Sequence, residues 1–205
     1  MKLFWSSRSP FVRFVMVVAH EKGLADRISH ERVVVAAASP NADVMAHNPL
    51  NKLPTLVLDD GSALYDSRVI CEYLDATGSG AQLVPSDGAA RWQTLRRTAL
   101  GVGLLDLLVG WLPERRKSAD AQDPDLNAAL AAKFAKTLEE LEGEAGALAV
   151  APFDLGQAAI GSALDYADFR YDDLNWRASH PTLSTWYAGV HQRPSFQATA
   201  HADVY

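Results

Sequence analysis

Ser9 directly precedes Pro10, a pairing that opens helices: serine is a favoured N-cap and proline is favoured at the first helical position. The hydroxyl is then held where unpaired N–H groups and the helix dipole favour an anion. Two further segments could join it. Asn48-Pro49-Leu50-Asn51-Lys52-Leu53-Pro54 is a proline-bounded loop carrying one cation, Lys52. Asp66-Ser67 begins another helix and supplies a second anion-favouring N-terminus beside a carboxylate. Plain capping is the competing role for Ser9, Asp66 and Ser67, and one residue can do both.

Other chemistries fit less well. The next histidine after Ser9 is His20, in the same helix and roughly 16 Å along its axis, so a serine–histidine nucleophile is excluded. The sequence also lacks a nucleophile elbow. The six histidines show no metal-ligand spacing. Gly101-Val102-Gly103 follows no strand and is not a dinucleotide loop; it allows close packing or opens space for a ligand. Cys71 is the only cysteine, which excludes disulfides and CxxC exchange, and its place on an apolar helix makes it a small core residue. With 205 residues, 48% of them hydrophobic, and a net charge of −6, the chain can bury a real core and offers nucleic acid no basic stripe. Arg115-Arg116-Lys117 ends a helix, where cations suit the dipole. No apolar run reaches the length of a membrane span. Phe11 to Ala19 is interrupted by Arg13 and is not read as a signal peptide. A cytoplasmic location is the default expectation.

The elements that must position these residues follow from periodicity. Lys2 to Trp5 reads as a strand, then comes the Ser9-Pro10 helix, then a β-branched strand over Glu31 to Val35. After a short helical turn, Thr55 to Leu58 and Ala63 to Tyr65 form a hairpin around Asp59-Asp60-Gly61. Asp66-Ser67 caps a helix whose Val69, Ile70, Tyr73 and Leu74 share one face. This α/β unit spans 1–77, and a polar linker covers 78–88. Strand signals then vanish, and 89–205 reads as all-helical. A long helix over Trp92 to Trp111 ends or kinks before Pro113, and a second runs from Asp123-Pro124 to about Leu148. A capping box at Asp154 and Gln157, with Phe153 placed as a staple, starts a third. Pro181 and Pro194 open two more.

Four segments together resemble bacterial serine-type glutathione transferases: Ser9-Pro10-Phe11-Val12-Arg13; Asn48 to Leu56; Leu64-Tyr65-Asp66-Ser67-Arg68-Val69-Ile70; and Leu164 to Arg170 with Arg193-Pro194-Ser195-Phe196. The likeness covers nearly the whole chain. It implies a thioredoxin-like N-terminal domain, 1–77, that binds glutathione as co-substrate, and an all-α domain, 89–205, that binds a hydrophobic electrophile. It also implies a homodimer and no metal.

On this resemblance Ser9 donates to the glutathione thiolate, with Ser6 and Ser7 as neighbours that could take the role. Lowering a thiol pKa from about 8.5 to about 6.5 needs roughly 2.7 kcal/mol. One charge-assisted hydrogen bond of about 1.5–3 kcal/mol plus up to about 1 from the dipole suffices. Pro54 is expected to be cis, presenting the Leu53 backbone to the cysteinyl group, although a trans proline opening a strand is the alternative. Ser67 is expected to hold the γ-glutamyl carboxylate and Asp66 the amino group. Lys52 either pairs with a glutathione carboxylate or is a solvated loop lysine. Asn51 stands where the family often has glycine, and asparagine tolerates a left-handed turn. Phe11 and Trp111 are the expected walls of the electrophile pocket, near Leu104, Leu107 and Leu108, with core packing as their other role. Isomerases, dehalogenases, etherases and a non-catalytic interaction protein share the architecture.

Overall fold

The computed structural model describes residues 1–36 and 38–203. Ala37, Val204 and Tyr205, which fall within the domain spans expected from sequence, lie outside the described residues. The chain divides into two compact units: Met1–Ser86 together with the end of the chain from Pro194, and Asp87–Arg193.

The first unit is built on a four-stranded sheet, ordered β2-β1-β3-β4. Its strands are β1 (Lys2–Trp5), β2 (Ser29–Arg32), β3 (Thr55–Val57) and β4 (Ala63–Leu64). Strand β2 runs parallel to β1; β3 is antiparallel to β1, and β4 to β3. The second strand sits earlier than the expected Glu31 to Val35. The ladder is set by the pairing of Leu3 with His30, while Val33 and Val35 leave it to pack beside Phe4, Val44 and Val57. Helix α1 (Pro10–Glu21) is apolar around nearly its whole circumference. It packs against α3 (Ser67–Thr77), and α2 (Ala42–Met45) is a single turn capped by Asn41.

Three buried charged side chains, Lys22, Asp75 and Arg13, extend this unit beyond the α/β pattern. Lys22 and Asp75 pair at 3.0 Å with both side chains nearly inaccessible. The carboxylate also accepts the N–H groups of Leu83 and Val84, and the ammonium donates to Ala81 O at 2.8 Å. The segment expected as a free linker is thereby fastened to the first unit. Arg13, 3% exposed, donates to the carbonyls of Thr199 and Phe196 and lies over the Phe196 ring. Ser195 Oγ donates to Glu21 Oε1 at 2.6 Å. Helix α9 (Pro194–Gln197), expected with the second domain, therefore belongs to the first unit.

The second unit is helical: α4 (Gly88–Arg115), α5 (Pro124–Val150), α6 (Leu155–Arg170), α7 (Trp176–Ser179) and α8 (Pro181–His191). The α/β unit and helical unit expected from sequence are both present. Of the two outcomes expected at Pro113, an end or a kink, the end does not occur: helix α4 continues through it to Arg115. Trp111 and Glu114 are buried on either side of the proline, and the Glu114 carboxylate accepts the Asp123 N–H, so packing outweighs the missing donor. Helix α6 is buried continuously from Leu155 to Ala167. It lies so close to α4 that a Cβ on Gly101 would fall 2.6 Å from the Ala159–Ile160 backbone. Of the two readings of Gly101, close packing is the one the structure carries.

Half of the expected capping box forms. Asp154 Oδ1 accepts the Gln157 N–H at 2.8 Å. The Gln157 amide donates to Pro152 O at 2.9 Å, not back to the Asp154 N–H. Asp154 Oδ2 instead accepts Thr94 Oγ1 at 2.8 Å, joining the cap to α4. Asp154→Ala should therefore cost about 1–2 kcal/mol, which lowers Tm by about 2–4 °C per kcal/mol in a chain of this size. Thermal melts with turnover per folded molecule check this; an unchanged Tm refutes the cap.

Candidate functional site

The strand register gathers three of the sequence segments at one edge of the sheet. Phe4 pairs with Thr55 and Lys2 with Val57, so the chain leaves β1 toward Ser9 where it enters β3 from Pro54. Leu56 pairs with Leu64, so β4 also exits on this edge, straight into Asp66 and Ser67. Two helix N-termini, α1 and α3, and the Pro54 loop thus share one end of the first unit. Backbone N–H groups at such ends favour anions.

Ser9 caps α1 in an extended conformation, its Oγ accepting the Val12 N–H at 3.3 Å. With a lone pair engaged by the cap, the hydroxyl proton faces other acceptors. The neighbouring serines are placed differently. Ser7 Oγ donates its proton to Ala202 O at 2.8 Å, and Ser6 Oγ accepts the Arg8 N–H at 3.4 Å. A cavity of about 120 Å³ adjoins all three, lined among others by Trp5, His20 and His30. The His30 ring stacks flat on Trp5, 5.5 Å between centroids. Burial, and then His20, hold the His30 pKa below the ordinary histidine value. Lys52, Pro54, Asp66 and Ser67 do not line this cavity.

The Pro54 loop is braced from within. The Leu53–Pro54 peptide is cis. Asn48 is buried; its amide donates to Thr55 Oγ1 at 2.9 Å and to Lys52 O at 3.3 Å, and its Oδ1 accepts the Leu50 N–H at 3.0 Å. This bracing role of Asn48 was not anticipated from the sequence. An asparagine followed by proline inside a loop was the available signal, since its amide can satisfy loop backbone groups. Asn51 has φ +53°, the left-handed conformation anticipated for it, and its Oδ1 accepts the Asn41 N–H at 3.0 Å. A glycine would permit the turn but not that second bond. The Lys52 side chain is exposed.

At the start of α3, Asp66 Oδ1 accepts the Arg68 N–H at 2.9 Å, and its other oxygen lies 3.4 Å from the Arg68 guanidinium. Ser67 is buried at the first helical position. Cys71 is fully buried on the same helix, and burial raises its thiol pKa well above the ordinary value, so this sulfur is inert at neutral pH.

The remaining sequence candidates lie one in each unit. Phe11 is half-buried on α1. Trp111 lies in the core of the second unit, 3% exposed, against Phe134, Tyr171 and the Arg115 guanidinium, with its N–H donated to Asn127 Oδ1 at 2.7 Å. Its contacts are those of a core residue. Among the described residues no cluster of three or more His, Cys, Asp or Glu side chains could hold a metal, and no helix is long and apolar enough to cross a membrane.

Comparison with known proteins follows the same division. Residues 8–77 match the profile described as glutathione S-transferase, N-terminal domain, and residues 124–189 match glutathione S-transferase, C-terminal domain. Over 203 residues the chain is 30% identical to the uncharacterized GST-like protein YibF of Escherichia coli (strain K12), covering 97% of this chain and 98% of that protein. It is 28% identical over 207 residues to the stringent starvation protein A homolog of Pasteurella multocida (strain Pm70), covering 96% and 88%. Among solved structures, a glutathione transferase family member from Pseudomonas fluorescens Pf-5 with bound glutathione superimposes with a TM-score of 0.93 at 39% identity, covering 98% of both chains. A glutathione S-transferase from Methylobacillus flagellatus with glutathione bound gives 0.86 at 37% identity, covering 98% and 99%.

Proposed function

The chain belongs to the glutathione S-transferase family, and from that premise we propose that it is a serine-type transferase, which binds glutathione along the shared edge of its sheet and activates the thiol through Ser9. The observation that carries this reading is the Ser9 cap. Its Oγ accepts from Val12 N, which leaves the O–H to donate to a thiolate, whereas Ser7 has given its proton to a carbonyl. Relatives solved with glutathione bound support the co-substrate.

In this reading the thiol of bound glutathione loses its proton to solvent, and the thiolate is stabilised by the Ser9 hydroxyl and the α1 dipole. Leu53 offers its backbone to the cysteinyl group, in a loop held by Asn48. Ser67 receives the γ-glutamyl carboxylate at the start of α3, Asp66 the amino group, and the exposed Lys52 the glycyl carboxylate. The thiolate then forms a carbon–sulfur bond to a hydrophobic electrophile. The electrophile either releases a leaving group with the electron pair or, on addition to an activated double bond, takes up a proton from solvent. Phe11 is one candidate contact, and the step requires no metal. Location in the cytoplasm, and a detoxifying role, belong to the same reading. A non-catalytic interaction protein is the competing reading, left open by relatives whose names state no transferase activity. Retention on immobilised glutathione followed by a conjugation assay separates the two.

Ser9→Ala should raise the pKa of the bound thiol by roughly one to two pH units, the equivalent of a lost charge-assisted hydrogen bond. Because the thiolate is the reactive form, conjugation should slow at neutral pH and recover as the pH rises toward the new pKa. A pH–rate profile checks this. Full activity in Ser9→Ala, with loss in Ser6→Ala or Ser7→Ala, would move the role to a neighbour.

Asp66→Ala and Ser67→Ala remove contacts to the unreactive end of glutathione, which hold ground and transition states alike. KM for glutathione should rise more than kcat falls. Calorimetry of the double variant tests this, and unchanged glutathione affinity sinks the anchoring roles. Assembly as a two-fold homodimer is also proposed from the family. Light scattering at micromolar concentration should give about twice the 22.2 kDa chain mass; the monomer mass would refute it.

A further inference from the structure

Ser9 is bracketed by two attachments to the last residues of the first unit, both of them inside that unit. On one side, the Ser9 N–H donates to Ser6 O at 3.1 Å, which closes a β-turn with Ser7 and Arg8 at its corner. On the other, the Ser9 carbonyl accepts the Arg13 N–H at 3.0 Å, the bond that starts α1. The Arg13 guanidinium is in turn held by the carbonyls of Phe196 and Thr199.

The turn is held by the residues that follow. The Ala202 N–H donates to Ser7 O at 3.3 Å, and Ser7 Oγ donates in return to Ala202 O at 2.8 Å. In an antiparallel strand pair two residues exchange a pair of N–H···O bonds. Here the Ser7 hydroxyl stands in for the second N–H. His201 Nδ1 lies 3.2 Å from the same Ser7 carbonyl, close enough to donate to it from the Nδ1–H tautomer. The Arg8 guanidinium lies 4.0 Å from the Asp203 carboxylate. Both corner residues of the turn therefore meet the segment 201–203.

A β-turn corner accepts most residue types, so the turn itself does not call for a hydroxyl at position 7. The Ala202 carbonyl does. What the clasp protects is aim. A reacting group displaced by about 1 Å can lose on the order of a hundredfold in rate, and groups on loops keep their geometry only where supporting contacts hold them. Ser9 closes a two-residue corner, so a tilt of that corner carries its hydroxyl with it.

We propose that Ser7 is a positioning residue for Ser9: clasped to Ala202, it fixes the turn that aims the Ser9 hydroxyl at the glutathione thiolate. The inference rests on the serine-type reading above and gives Ser7 a task distinct from donating to the sulfur.

The readout is the pKa of the bound thiol, followed in the full chain through the ultraviolet absorbance of the thiolate at saturating glutathione over a pH series. Ser7→Ala should raise that pKa by about 0.5 to 1 unit, which slows conjugation near neutral pH by about three- to tenfold. Glutathione affinity, read by calorimetry, should stay within about twofold. Ser7→Thr keeps the hydroxyl and should stay near the wild-type pKa. Ala202→Pro removes the N–H that Ser7 O accepts, leaves the turn's own residues intact, and should raise the pKa in the same direction. Added to Ser9→Ala, Ser7→Ala should shift the pKa no further, because it acts only through the Ser9 hydroxyl.

An unchanged thiol pKa in either Ser7→Ala or Ala202→Pro, beside a raised one in Ser9→Ala, overturns the positioning role and leaves the Ser9 reading standing. A Ser7→Thr shift as large as that of Ser7→Ala overturns it too, since the hydroxyl would then not be what matters. Shifts that add in the double variant would make Ser7 a second donor and likewise overturn it. An unchanged pKa in Ser9→Ala itself overturns the serine-type reading, and this inference with it.

Discussion

The antiparallel pairing of β3 with β1 is the constraint on which the candidate site depends. A parallel partner would have carried Pro54 to the far end of the sheet from Ser9. With Phe4 opposite Thr55 and Leu56 opposite Leu64, two strand exits and one strand entry coincide. Three short motifs, separated by up to about sixty residues, become neighbours through a few backbone hydrogen bonds. Strands this short have little stability of their own. They are held by burial on both faces: Leu3 and Phe4 are successive residues that point to opposite sides of the sheet, and both are inaccessible, as is Leu56.

Around this edge, charge is used to join segments that hydrophobic patterning leaves unattached. The Lys22–Asp75 pair and Arg13 are costly to bury, and they persist because nearly every donor and acceptor finds a geometric partner, mostly backbone amides and carbonyls. Removing one member would leave the other ionised in a dry environment, so these contacts define the course of the chain more than they add net stability. Asn48 does the same for the Pro54 loop without a charge.

Local chemistry made much of this legible in the sequence. The caps at Ser9, Asp66, Asp123 and Asp154, the turn at Asn51 and the division into an α/β half and a helical half all rest on rules that act within a few residues. The misreadings involve partners far away in the chain. Arg13 read only as an interruption in an apolar stretch, because its acceptors, Thr199 and Phe196, lie more than 180 residues on. Pro194 correctly announced a helix, but the motif contains nothing about where that helix docks. Pro113 read as an end or a kink, and the end was among the readings because propensity cannot weigh the burial of Trp111 and Glu114. Gln157 had capping-box spacing, yet its amide reached Pro152 O, an alternative that spacing leaves equally open. For the candidate site, residue types and their order can be read in the sequence, whereas the different hydrogen bonding of Ser7 and Ser9 depends on an acceptor at Ala202.

The docking of Pro194 to Thr199 onto Arg13 has a consequence for the order in which the protein is made. Domains ordinarily fold as they leave the ribosome, the first-synthesised one first. Here the earlier unit lacks its last piece until Pro194 to Thr199 have emerged, after the whole helical unit. Until then a buried guanidinium has no carbonyls to serve, and the Phe196-binding surface is bare. The later-made helical unit, Asp87–Arg193, has all of its own residues before the earlier one does. The unit that carries the anion-favouring end of the sheet thus reaches its finished form only after the helical unit has been made.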